Sequence, residues 1–204
     1  MISRFSTLLL LAAVLVLGAT ATQAQTRWLQ TVQVIAPVDD YSVTGVFRDS
    51  LLQVVQRGRV QLHREPDAPA RSFRALEDEL LREGLDFTSA NRVFLTYRLE
   101  ASQRGFVSQI EDIYFIYRPE GVDDVDMPIF RVSGTEPAVR RLILGSGTQM
   151  LANEAAFVPF YDQLTFHQLE ESTVISVGGR LIRDPQKAAM ERERLLATVR
   201  RFMY

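Results

Sequence analysis

The chain holds two imidazoles, and each sits close to carboxylates. His63 opens the run His63-Arg64-Glu65-Pro66-Asp67, which gathers three candidate metal ligands within five residues. Zinc uses such donors, but from regular spacings on rigid elements. Pro66 and Pro69 break that regularity, so the run reads as a strand end entering a polar loop. His167 is followed by Glu170 and Glu171. On a helix this spacing would put the imidazole and a carboxylate on one face, where they could serve a metal or acid–base chemistry. Ordinary surfaces carry the same pair. Asp123, Asp124 and Asp126 form an acidic cluster. A calcium loop needs ligands at alternate positions around a glycine and a distant glutamate. Here Gly121 precedes the cluster and Met127-Pro128 ends it, so a solvated turn is the default and a weak cation site the alternative. Gly145-Ser146-Gly147-Thr148 has the small residues of a phosphate loop without the Gly-Lys-Ser/Thr that follows in one. It also lacks the Gly-x-Ser-x-Gly of a nucleophile elbow, and reads as a helix break. Ser133-Gly134-Thr135 is a similar turn.

None of these groups supplies a nucleophile, a base and an orienting residue together. Cys is 0, which removes thiol catalysis, disulfides, iron–sulfur clusters and cysteine-ligated zinc. The expectation is no catalytic, cofactor-binding or metal-binding residue and no cofactor, with enzymatic activity left open and disfavoured. The aromatic group Tyr114, Phe115, Tyr117, Phe157, Phe160, Tyr161 and Phe166 reads mainly as core, with a share available to a partner interface.

The elements that must position these residues follow from hydrophobic period. Residues 28–36 alternate as a strand. Phe47, Leu51, Val54 and Val55 then fall at i, i+4, i+7 and i+8, the stripe of an amphipathic helix, with Gly58 as its stop. Residues 60–63 read as a short strand and 64–70 as a loop. Ser72 caps a second helix whose stripe is Phe73, Leu76, Leu80 and Leu81. Residues 93–101 and 106–118 predict two long strands joined as a hairpin. At 113–117 apolar residues occupy both faces, so cover is expected on both sides. Residues 129–132 suggest another strand, 136–144 a helix with Pro137 at its start, 148–157 a further helix, and 173–177 a strand; 160–169 is ambiguous. Asp184 and Pro185 cap a C-terminal amphipathic helix carrying Leu195, Leu196, Val199, Phe202 and Met203. The fold class expected is α/β or α+β: a mixed sheet with a long antiparallel hairpin, two helices in the N-terminal half and the C-terminal helix.

The first 24 residues read as an address. Arg4 precedes the apolar run 8–17, and small residues follow to Ala24, the layout of a secretory signal peptide. The run is about half of the roughly 20 residues that span a bilayer. Cleavage after Ala24 or after Ala21 fits; an uncleaved anchor is the alternative. Residues 25–204 are then expected to form a single exported globular domain, with a possible sub-boundary near 120–135. Of 204 residues, 47% are hydrophobic and 24% charged, and the formal net charge is −2. That balance argues against nucleic acid as a partner and against more than peripheral membrane contact.

Residues 31–99 carry a resemblance. Thr31-Val32-Gln33-Val34-Ile35-Ala36-Pro37-Val38-Asp39-Asp40 looks like an opening strand closing on an acidic turn. A helix over 46–58, a strand over 59–65, a helix over 73–84 ending in Glu79-Leu80-Leu81-Arg82-Glu83-Gly84, and a strand over 93–99 follow. This layout resembles the periplasmic βαβαβ domain of curli-secretion lipoproteins and of lipoprotein activators of penicillin-binding proteins. The chain departs from them in having no cysteine for lipid attachment, and beyond Glu120 it has no counterpart. The resemblance implies a non-enzymatic role in envelope assembly or regulation through protein contacts. An envelope protein partner is therefore expected, periplasmic more readily than fully secreted, with the 93–118 hairpin and the 184–204 helix as contact surfaces. The alternative is a periplasmic small-ligand carrier with an apolar pocket between the sheet and residues 157–166.

Overall fold

The structure, a computed structural model, describes residues 28–102, 105–121, 125–149, 157–169 and 171–203. The expected signal segment lies outside them. In chain order the elements are β1 (Trp28–Pro37), α1 (Val43–Gln56), α2 (Phe73–Arg82), a 3-10 turn at Phe87–Ser89, β2 (Arg92–Ser102), β3 (Gly105–Tyr117) and β4 (Met127–Ser133). Then come α3 (Pro137–Gly145), β5 (Gly147–Gln149), β6 (Phe157–Pro159), α4 (Phe160–Gln163), β7 (Thr173–Val177), β8 (Arg180–Leu181) and α5 (Pro185–Met203). Six strands form one sheet in the order β4-β3-β2-β1-β7-β8, and each neighbouring pair is antiparallel. β5 and β6 form a separate ribbon. The fold is thus the α+β form of the expected class, with the long hairpin, the two early helices and the C-terminal helix in place.

Alternation along the strands explains the layering. Val32, Val34 and Ala36 of β1 stand opposite Tyr97, Leu95 and Val93 of β2, all buried on one face. Ile113 and Phe115 of β3 continue that face to Val132 and Phe130 of β4. The helical stripes close over it: Phe47, Leu51 and Val55 from α1, Leu76 and Leu80 from α2, Val139 and Ile143 from α3, and Leu195, Leu196 and Val199 from α5 belong to the same core. The other phase of the strands carries Thr31, Gln33, Thr96 and Arg98, which remain exposed or half-buried. Cover on both sides of residues 113–117 is complete for Ile116 and partial for Tyr114, which stacks on Phe94 at 5.9 Å.

Three expectations need correction. Residues 60–63 are not a strand but two isolated bridges, Leu62 to Arg71 and His63 to Arg131; the two prolines nearby leave too little regular backbone to extend them. The helix expected over 148–157 is replaced at its ends by β5 and β6, with 150–156 outside the described residues. Gly147 explains the change, since its missing side chain lets the Val158 carbonyl approach. The hairpin does not offer two free edges: β2 lies between β1 and β3, and β3 between β2 and β4.

Helix α1 is locked through its first two turns. Ser42 Oγ caps the Gly45 N–H at 3.1 Å. Arg48, 3% exposed, donates to Thr88 O at 3.1 Å and to Asp40 and Asp49 at 3.0 and 2.9 Å. Buried guanidinium is tolerated only with such partners. Gly45 itself lets the helix sit against the preceding turn, because a Cβ there would run into the Asp39 carbonyl oxygen. Gly45→Ala should therefore lower the unfolding midpoint in urea by an amount worth about 1–3 kcal/mol, although alanine is the better helix former by about 1 kcal/mol; a midpoint at or above that of the wild type would refute the tight fit.

Candidate functional site: a groove beside the free half of β3

β3 is longer than its outer neighbour. Its pairing with β4 runs from Asp112 to Tyr117, whereas its pairing with β2 runs the whole way to Gly105. Residues 105–111 therefore have a strand on one side only, among the described residues. At the changeover the chain leaves β4 through Gly134, whose N–H donates to Glu111 O at 2.9 Å. The unpaired stretch forms one bank of a groove. Tyr97 and Ile110 make the floor, Arg140, Ile143 and Leu144 of α3 one wall, and Tyr161, Leu164 and Thr165 the other. The half-open recess between them has a volume of about 210 Å³. A wider cleft continues from it past Ser108 and Tyr161 to His167, Phe202 and Met203.

Residues 160–172 have one short helix, so side chains hold them. Tyr97 is fully buried and its hydroxyl donates to Leu164 O at 2.7 Å. Its ring meets Phe166 edge-on, with centroids 6.0 Å apart. Burial pushes the phenol's pKa far up, so it stays a donor. From the far side, Arg192 of α5 donates to Ser172 Oγ at 2.7 Å and to Leu169 O at 2.8 Å, and lies 5.3 Å from the Phe166 ring centre. Gln163 accepts from Thr148 Oγ1 at 2.9 Å and donates to Val158 O at 2.7 Å, tying α4 to the β5–β6 ribbon.

Two buried polar atoms around the groove lack a partner among the described residues: Ser108 Oγ and His167 Nδ1. Ser108 is 8% exposed. Burial lowers the pKa of His167 from its ordinary 6.5. The two side chains line one cleft but do not hydrogen-bond to each other.

The residues singled out in the sequence are scattered. His63 Nδ1 lies 2.8 Å from Ala68 O and closes its own loop, while Glu65 and Asp67 are exposed. Arg64 bonds Glu79 at 2.6 Å and also Glu83, which raises the pKa of Arg64 and lowers that of Glu83. His167 lies in a turn, so no helical face unites it with Glu171, which is exposed; Glu170 is outside the described residues. Asp126 pairs with Arg118 at 2.7 Å, and Asp123 and Asp124 fall outside the description. The segment 145–148 ends α3 and starts β5; Ser146 O accepts the Phe160 N–H at 2.8 Å. The described residues contain no group of three His, Cys, Asp or Glu that would hold a metal. Of the aromatic group, Phe115, Phe160 and Phe166 are core, whereas Phe157 and Tyr161 are exposed. Ser108, Arg140 and Leu144 escaped notice in the sequence. The one available signal was phase: Ser108 is the polar residue on the inward-facing phase Phe106, Ser108, Ile110. The chain matches no family model and no curated protein.

Tyr97→Phe leaves the buried Leu164 carbonyl without its donor and should cost about 1–2 kcal/mol in urea unfolding, with amide exchange rising first in residues 160–169; an unchanged midpoint would show that the hydroxyl does not hold the wall. The depressed His167 pKa means that the unfolded chain binds the proton more tightly. Its contribution is present above pH 6.5 and is lost as pH falls from there through the lower folded value. The wild-type midpoint should therefore fall more steeply between pH 7 and 5 than that of His167→Gln, and parallel curves would contradict the burial of a neutral imidazole.

Proposed function

We propose that this chain is a non-catalytic exported envelope protein that works through protein–protein contacts in assembly or regulation, and that its partner docks at the groove beside β3. The observation that carries the reading is the coincidence there of a strand half without an outer partner among the described residues and a rim of exposed apolar side chains. Val107, Leu144, Tyr161 and Met203 are between 41% and 53% exposed and all border the groove or its continuation. Exposed apolar clusters of this kind favour association. Export is supported by the sequence of the first 24 residues. The C-terminal helix, the other expected contact surface, spends Leu195, Leu196 and Val199 on the core and has its outer face left over.

The carrier reading has one observation in its favour: the recess lies between the sheet and the 157–166 segment, where an apolar pocket was expected. Its volume of about 210 Å³ is below the roughly 300–1,000 Å³ of pockets that bury a small-molecule ligand. The cleft that continues from it, about 520 Å³, falls within that range, and the exposed apolar rim rather than size favours the contact reading.

Photo-crosslinking in the native cells tests the proposal. A photoreactive residue at Leu144 or Tyr161 should give one discrete adduct with an envelope protein, and one at Met190 should not. Met190 is 73% exposed, on the same helix as Phe202 but about 18 Å along it. No adduct from the groove positions, or a chain that fractionates with the cytoplasm, would overturn it.

A further inference from the structure

We infer that the occupant of the groove is an extended segment of the partner polypeptide, added as a strand to residues 105–111 of β3, with one large apolar side chain in the cavity beside Tyr97 and a carboxylate on Arg140. This rests on the contact reading above and specifies its chemistry.

Backbone, volume and charge point to the same occupant. An unpaired strand edge presents N–H and C=O groups at the spacing of a strand, and the natural complement is another strand. The edge here is continuous in line with β4, which stops at Ser133. An incoming segment would extend the row that β4 begins. The cavity then decides what the segment carries. A dry cavity of about 150 Å³ takes up one benzene ring, so about 210 Å³ suits one aromatic or branched side chain. Beside the floor of Tyr97 and Ile110 lies Ser108 Oγ, a buried hydroxyl with no partner among the described residues. A polar atom of the incoming segment would satisfy it. Arg140 is the one charged side chain that lines the cavity; it is exposed and makes no ion pair among the described residues. No residue that lines the recess itself is acidic, so the complement of Arg140 is a carboxylate from the partner, either a side chain or a free C-terminus.

The test uses the chain as purified from its own cells and a library of random hexapeptides displayed with free C-termini. The expected winners alternate apolar and polar residues, include one large apolar side chain, and carry an acid or depend on the terminal carboxylate. A fluorescein-labelled winner should protect the amides within 106–110 from exchange when it binds, which a docked helix would not do. Arg140→Glu and Leu144→Glu, both at exposed positions, should each weaken binding about tenfold or more, and Met190→Glu should leave it unchanged. No enriched peptide, binding without protection of β3, or indifference to Arg140→Glu would overturn the inference. If groove crosslinks to an envelope protein persist in that case, the contact reading stands and its partner docks as a folded surface; if the crosslinks fail too, both fall.

Discussion

The hydrogen bond from Tyr97 to the Leu164 carbonyl is the constraint on which the shape of the site depends. A phenol buried at the centre of β2 would be costly without a partner. The partner it finds is the backbone of a segment that has little regular structure of its own. That one bond fixes the distance between the sheet and residues 160–169, and the Phe166 ring against Tyr97 fixes the angle. Arg192 completes the clamp from α5, using the carbonyl of Leu169 and the hydroxyl of Ser172. The groove is what remains between a wall held in this way and a sheet that continues beyond it. The wall is packed as well as hydrogen-bonded, since Phe160, Leu164, Phe166 and Leu169 belong to the core.

The antiparallel sheet accounts for the rest. Because the strands pair antiparallel and the helices gather over one face, a single core serves the whole described chain. Burying Phe47, Phe115, Phe130, Phe160 and Leu195 in that core supplies hydrophobic stabilisation to a chain that has no cysteine and so no disulfide. Ring contacts tie α2 and the 87–89 turn to the β3–β4 end of the sheet: Phe73 on Phe87, Phe87 on Phe130, and Phe130 on Phe115.

Much of this was legible in residue order, and the limits are physical. The hairpin could be read because Val93, Leu95, Tyr97, Leu99 and Ala101 keep strict alternation; α5 because Asp184 and Pro185 mark its start. Asp184 does accept the Gln186 N–H at 2.9 Å. What could not be read were relations between distant segments. Residues 60–63 have strand composition, but their pairing depends on Arg131, far along the chain. The break at 147–149 depends on how near Val158 comes to Gly147. The candidate site was the least legible part. Histidine and carboxylate clusters drew attention because their chemistry is written in single residues, yet His63 closes a loop, Asp126 pairs with Arg118, and His167 stands in the cleft apart from Glu171. The groove is made by the difference in length between two strands, and no local pattern encodes a length difference.

The same comparison of strand lengths explains why one edge differs from the others. Edge strands invite unwanted pairing, and this sheet blunts its edges in recognisable ways. β8 is two residues long, and both are exposed. β4 carries Pro128, which has no N–H to offer, and its Arg131 is already paired with His63 through both backbone groups. The arginine side chain also reaches Pro66 O at 2.8 Å, so the 64–70 loop covers that edge. The turn at Gly134 closes only the inner end of 105–111, donating to Glu111 O at 2.9 Å; among the described residues 105–109 have no proline and no bridging loop, and a bank of apolar side chains lies beside them. Selection against aggregation would remove a stretch of that kind unless something occupies it in use. The contrast with two protected edges in one sheet is therefore the strongest structural argument that the groove is a place of contact.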